Sequence, residues 1–365
     1  QTGKKLKEYG LSKVLCVYDQ GIKSAGVVDK IVENIRSEGI AVVEFGGVVA
    51  DPPDTVVNEA GELGRKEGVE AVVGIGGGSC LDTAKATNVL LGNPGPINKY
   101  FGMGVPQNPG KTLVLIPTTA GTGSEVSQVA AITDSISGKK CAVFGPNCIA
   151  ALAIVDPLLM LTLPPKLTAS TGVDTLAHAI EAYTSGLSNP MSDILAVEAV
   201  SLVARSLRTA VVEGSNVQAR FDMSFACTLA GMAFLHSPPH LAHAIGTPLG
   251  ARYHIPHGLS IAAVLPAVIE FVAEVLPAKV RTLGRAMGLE VTENLSPKQT
   301  AMEVAEAIRR LNRDLGLPTL RELNIPEADL PAIAREAFED PTANFVPRKA
   351  TPEDVLTLLQ KEYAL

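Results

Sequence analysis

The stretch Ala71-Val-Val-Gly-Ile-Gly-Gly-Gly-Ser-Cys-Leu-Asp-Thr-Ala-Lys85 decides the fold class. A short β-branched run enters three consecutive glycines, Gly76, Gly77 and Gly78, and a helical pattern begins at Ser79. Glycine has no Cβ, so the backbone there can turn sharply and let a bulky anion approach. The N–H groups of a helix start carry partial positive charge and suit a pyrophosphate. Ser79 with Asp82 three residues on reads as a capping box that would fix this start. An ordinary strand-to-helix turn would look the same, so the glycines alone do not decide between the two.

Similar runs lie on both sides. Val14–Tyr18, Ala41–Phe45, Leu113–Ile116 and Ala151–Val155 read as buried parallel strands, with helix-period segments such as Asp54–Glu67 between them. Strand–helix alternation implies a parallel sheet covered on both faces. Beyond Pro164-Pro165 the pattern turns helical, over 168–184, 193–212 and 299–315, with Thr351, Pro352 and Asp354 opening a last helix. The expected architecture is an α/β domain with a Rossmann-like parallel sheet over 1–162, then an all-α domain over 163–365.

Asp19 ends the run from Val14 and could accept hydrogen bonds from an adenine-ribose diol while repelling a 2′-phosphate. It stands 57 residues ahead of Gly76, whereas the usual dinucleotide fingerprint places its acid about 20 residues after the loop. A solvated strand end is the plainer reading of Asp19 alone. A second loop, Pro117-Thr-Thr-Ala-Gly-Thr-Gly-Ser-Glu125, also follows a strand and supplies hydroxyl donors.

The chain holds six histidines, and five of them fall between His236 and His257. The sixth, His178, stands four residues after Asp174, so both project from one helix face. A carboxylate and an imidazole so placed form half of a divalent-metal site. Spacing does not choose the other half, because His240/His243 and His254/His257 are each three apart.

The whole chain has 365 residues, 46% hydrophobic and 19% charged, with a net charge of −7. That composition excludes intrinsic disorder, and without a basic block it argues against nucleic acid or an anionic membrane as partner. The longest apolar run, Cys148–Val155, is far short of the ~20 residues that a spanning helix needs. Five scattered cysteines without a CxxC pair read as reduced thiols of a cytoplasmic protein. The chain opens at Gln1 rather than Met, as expected of a trimmed chain, and shows no signal-like segment.

Taken together, Gly76–Lys85, Pro117–Glu125, Gly172-Val-Asp-Thr-Leu-Ala-His178 and His254-Ile-Pro-His-Gly258 resemble the iron-containing (group III) alcohol dehydrogenase family, in the same order along nearly the whole chain. The resemblance implies one divalent metal, Fe²⁺ or Zn²⁺, held by Asp174, His178, His243 and His257. It implies NAD contacts at Asp19, Gly77, Gly78, Ser79, Thr118, Thr119, Thr122, Ser127, Lys140 and Leu167, beside the Gly76 and Asp82 read above. Reversible hydride transfer on a small alcohol or aldehyde, by a homo-oligomer, is the implied activity.

Departures from the family pattern are informative. Thr247 stands where many members carry a proton-relaying histidine, which leaves Thr247 with water, His254, or solvent directly for that role. Val129 and Phe234 look like pocket-lining positions. Arg252 suggests an anionic group on the substrate; for Arg252 and His240 alike, a surface or interdomain ion pair is the plainer reading. A metal-dependent hydrolase or lyase would use the same Asp/His₃ site, and an inactive nucleotide-binding relative is a further reading, against which the complete ligand set argues. The hydrolase would leave the glycine loop without a task.

Overall fold

The computed structural model describes residues 1–105 and 107–365. The chain forms two compact units, one of Gln1–Thr119 with Ser124–Thr162, the other of Ala120–Gly123 with Leu163–Leu365. The chain therefore passes from the first unit to the second at 120, returns at 124, and leaves for good at 163.

In the first unit the strands are β1 (Lys13–Asp19), β2 (Ala41–Val48), β3 (Ala71–Gly76), β4 (Thr112–Pro117), β5 (Val129–Thr133), β6 (Lys140–Phe144) and β7 (Leu152–Ala153). Its helices are α1 (Thr2–Glu8), α2 (Gln20–Ser24), α3 (Val27–Ser37), α4 (Asp54–Glu67) and α5 (Gly78–Gly92). Five strands make a parallel sheet in the order β2-β1-β3-β4-β7. Alternate residues explain the two-sided core. Val14, Cys16, Val73, Ile75, Val114 and Ile116 pack with Val28, Ile31 and Ile35 of α3. Their neighbours Leu15, Val17, Val72, Leu113 and Leu115 pack with Leu81 and Ala84 of α5.

Two details depart from the sequence expectation. The run Ala151–Val155 yields only the two-residue β7, because a strand at the sheet edge is held by one neighbour, β4. An antiparallel hairpin of β5 and β6 was not anticipated. Its period-2 burial, with Ala130 and Ile132 inside, is blurred in the sequence by alanines on the other face.

The second unit is helical: α6 (Pro165–Thr184), α7 (Pro190–Val212), α8 (Val217–Phe234), α9 (Leu241–Tyr253), α10 (His257–Ala262), α11 (Leu265–Ala273), α12 (Pro277–Ala286), α13 (Pro297–Asp314), α14 (Leu330–Glu339) and α15 (Pro352–Tyr363). Capping boxes open α7 at Asn189, α13 at Ser296 and α15 at Thr351. The central α6 is buried along most of its length, which fits its alanine-rich sequence. Among the described residues no helix is long and apolar enough to cross a membrane.

Candidate active site

Within the first unit, the order of strands reverses between β1 and β3. In open α/β sheets, ligands bind outside the carboxyl ends of strands at such a switch point. Asp19 is the last residue of β1, and Gly76–Gly78 join β3 to α5, so the acid and the glycine loop meet there despite their reversed order in the chain. The Asp19 carboxylate caps α2 by accepting from the Ile22 N–H at 2.9 Å and accepts from Cys80 Sγ at 3.1 Å. Gly76 is conformationally required: its φ is +145°, and a Cβ would stand 2.5 Å from Cys80 Sγ. The second loop lies alongside, with the Thr118 N–H donating to Gly76 O at 3.0 Å. Thr119 Cγ2 would be 3.2 Å from a Cβ on Gly77.

The expected Ser79–Asp82 capping box is not formed. α5 begins at Gly78 with Gly77 as its cap, and Asp82 turns elsewhere, accepting from Ser124 Oγ at 2.7 Å and the Ala131 N–H at 3.1 Å. A second buried anchor ties α5 to the hairpin. Lys85, fully buried, donates to Ser127 Oγ at 3.0 Å and to Val129 O at 2.9 Å. Burial lowers the Lys85 ammonium pKa against the opposing pull of Asp82. The Ser127 hydroxyl is thus engaged from within the protein. Lys140 is exposed and paired with Asp51 at 2.8 Å. In the second unit, Thr122 is half-buried in segment 120–123, and Leu167 is exposed on the first turns of α6.

The second unit carries the histidine cluster. Asp174 and His178 project from α6, His243 from the first turn of α9, and His257 from the first position of α10. Gly258 lets α10 press against α6, since a Cβ there would lie 2.2 Å from Ser170 O. Asp174 Oδ1 stands 3.8 Å from His178 Nδ1, 3.9 Å from His243 Nε2 and 3.9 Å from His257 Nε2. Such spacings are too long for hydrogen bonds. They fall within the ~4.2 Å that two donors at about 2.1 Å from one ion can span. Asp174, His178 and His243 are buried and each offers a ligand atom within 4.8 Å of the others, while the His257 side chain is 39% exposed at the rim.

The donor chemistry fits a cation. Among the described residues, His178 Nδ1 and His243 Nε2 are buried without a hydrogen-bond partner, a costly state for a polar atom unless a ligand satisfies it. Burial holds the His178 pKa down to about 4 against the pull of Asp174, so its imidazole is neutral and able to ligate. For His243, burial also works downward. The hydrogen bond and charge of Glu181 outweigh it, and its pKa is raised.

Other sequence candidates separate. Phe234, at the end of α8, is half-buried with its ring centroid 4.8 Å from that of His178. The Thr247 hydroxyl donates to His243 O at 3.0 Å. His254 is exposed and holds the left-handed C-cap of α9, with φ at 54°. Arg252 is exposed and grips Glu336 through Nε at 2.8 Å and through Nη2, which raises its pKa. Both partners lie in the second unit, so this is a surface pair and not an interdomain one. His240 corrects the expectation of a surface or interdomain residue: it is fully buried beside Glu181, with its Nδ1 3.0 Å from Oε1. Glu181 itself went unnoticed in the sequence, although it lies seven residues after Asp174 on the same helix face.

Residues 1–157 match the description "Iron-containing alcohol dehydrogenase", and residues 168–363 match "Fe-containing alcohol dehydrogenase family, C-terminal". It is 38% identical to the 1,3-propanediol dehydrogenase of Citrobacter freundii, covering 99% of this chain and 94% of that one. It is 36% identical to the NAD-dependent methanol dehydrogenase of Bacillus methanolicus, again over 99% and 94%. The crystal structure of sulfoacetaldehyde reductase from Bifidobacterium kashiwanohense in complex with NAD⁺ superposes with a TM-score of 0.90 at 30% identity, covering 99% and 94% of the two chains. Both units are thus matched together in relatives named as alcohol dehydrogenases and an aldehyde reductase, and this chain belongs to the iron-containing alcohol dehydrogenase family.

Proposed function

We propose that this enzyme carries out metal-assisted, reversible hydride transfer between NAD(H) and a small alcohol or aldehyde. The observation that carries the reading is the buried trio Asp174, His178 and His243, with two imidazole nitrogens left unsatisfied by the protein. These three, with His257 at the rim, would hold a divalent cation such as Fe²⁺ or Zn²⁺. Bound there, the cation supplies Lewis acidity toward a carbonyl or alkoxide oxygen. Asp174 is the one anionic donor of the set, so half of a +2 charge stays uncancelled and available to the substrate oxygen. Phe234 covers the His178 ring and keeps water from that side.

In the first unit, the Asp19 carboxylate is suited to a ribose diol, and the N–H groups at Gly77–Ser79 to a pyrophosphate. Thr118 and Thr119 brace the loop from the side. The nicotinamide cofactor supplies the hydride, and the chain's task is to bind and orient it. The Thr247 hydroxyl has its proton committed to His243 O, so the alcohol proton is exchanged with solvent, and His254→Ala tests any share of that exposed imidazole.

The test is to mix metal-loaded protein with NADH and neutral, hydroxylated and acid-bearing short aldehydes, following the reduced-nicotinamide absorbance. Turnover that is lost on chelation and in His243→Ala supports the reading. Binding of NADH without turnover of any aldehyde defeats it.

A further inference from the structure

Asp174, His178 and Glu181 follow one another at steps of four and three along α6, so Glu181 lies on the same face as the two donors. Its carboxylate has no exposure to solvent and faces the first turn of α9 and the N-cap residue His240. Oε1 accepts from the Ala242 N–H at 2.6 Å, and Oε2 faces the His243 N–H at 3.4 Å and bonds to His243 Nδ1. On its other side stands the fully buried His240, whose Nε2 meets Thr184 Oγ1 at 3.0 Å. The Thr184 hydroxyl gives its own proton to Ile180 O at 2.8 Å, so His240 is the donor in that contact.

We infer that Glu181 is a positioning residue for the cation site: by accepting a hydrogen bond from the Nδ1–H of His243, it makes Nε2 the nitrogen that presents a lone pair toward Asp174. Two tautomers of a neutral imidazole are otherwise close in energy, and the wrong one would place a proton where a ligand bond must form. The same carboxylate receives backbone N–H groups from the first turn of α9, so it fixes the ring's orientation and the backbone that carries it. This inference rests on the reading that the trio holds a divalent cation.

The test uses Glu181→Gln, which preserves volume but exchanges one oxygen for an NH₂. The hydrogen-bond partners of that carboxylate are N–H groups, so one contact becomes donor against donor, or His243 must adopt the opposite tautomer. The full-length chain is stripped of metal and titrated with Co²⁺, reading the visible absorption of the bound ion, and with Zn²⁺ in competition with a chelator. The expected result, read on the folded variant, is a loss of roughly 10- to 100-fold in metal affinity. Wild-type affinity in Glu181→Gln would overturn the inference. Should that variant fail to fold, ¹⁵N NMR of the histidines in the metal-free wild type decides: an Nδ1-protonated His243 supports the inference, and an Nε2-protonated one overturns it. A wild-type chain that binds no Co²⁺ or Zn²⁺ overturns the reading of the site itself, a failure distinct from unaltered binding in the variant.

Discussion

Cys80 and Asp19 meet across 3.1 Å, the thiol donating to Oδ2 of the carboxylate and joining the first turn of α5 to the end of β1. Burial raises the Cys80 pKa, so the thiol keeps its proton and remains a donor. The acid is therefore held in place from α5 as well as by its own capping bond to Ile22.

Asp19→Asn separates charge from shape. Asparagine caps helices about as well as aspartate, so stability should fall by less than about 1 kcal/mol. The negative charge that would repel a 2′-phosphate is gone. The ratio of kcat/KM for NADH over NADPH should drop tenfold or more, measured with one aldehyde at fixed concentration. An unchanged ratio would remove Asp19 from cofactor discrimination.

Gly76→Ala should be damaging in a way that neighbouring glycine changes are not. The backbone at φ +145° is strained for any side chain, and the new Cβ would collide with Cys80 Sγ. We expect a lower melting temperature together with weaker NADH binding. Pairing it with Cys80→Ala should recover part of the loss from the collision but none from the strained φ.

Metal removal should be visible without any substrate. A cation at 100 times its Kd stabilises the folded chain by about 2.7 kcal/mol, or roughly 5–10 °C for a unit of this size. Differential scanning fluorimetry with and without Zn²⁺ measures this. His178→Ala should melt at the same temperature in both conditions.

Asp222 offers an acid-limb signature. It is 4% exposed and accepts from Ser206 Oγ at 2.6 Å, Gln218 Nε2 at 2.8 Å and Arg205. Burial raises its pKa, but these donors outweigh burial and the net shift is downward. A depressed native pKa gives stability that is present above the unfolded value of about 3.9 and is lost as pH falls through the native one. Asp222→Asn should cost about 1–3 kcal/mol at neutral pH, and the gap to wild type should narrow as pH falls below the unfolded carboxylate value. Thermal melts across pH report it, and a gap independent of pH would contradict the assignment.

Arg252→Ala should change KM for acid-bearing and neutral aldehydes alike, within about twofold, because the guanidinium is engaged by Glu336 on the surface. A selective rise in KM for the acid-bearing aldehyde would instead make Arg252 a specificity residue.

Much of this was readable beforehand, for physical reasons. The strands β1, β3 and β4 are covered on both faces, so their sequences are nearly unbroken Val, Leu and Ile runs. The weakly held edge β7 and the hairpin of β5 and β6 lack that signature. Asp174 and His178 were legible because four residues is one helical turn. Spacing alone did not separate the later histidines, which only the family resemblance told apart; His240 and His243 are both buried and touch the same carboxylate. Only the fold decides that the first faces Thr184 while the second faces Asp174. Ser79 and Asp82 fit a local capping rule, yet a tertiary demand from Ser124 and Ala131 took the carboxylate instead.

Residues 120–123 belong to the helical unit although the chain on both sides of them does not. A chimera that joins two relatives at a single crossover after 162 would pair Gly121 with a foreign residue 171 and Gly123 with a foreign residue 231. Both contacts are tight: added Cβ atoms would stand 2.8 Å from Thr171 Cβ and 2.7 Å from Gly231 Cα. Shuffled enzymes of this kind should express and fold best when the tetrapeptide travels with the C-terminal parent.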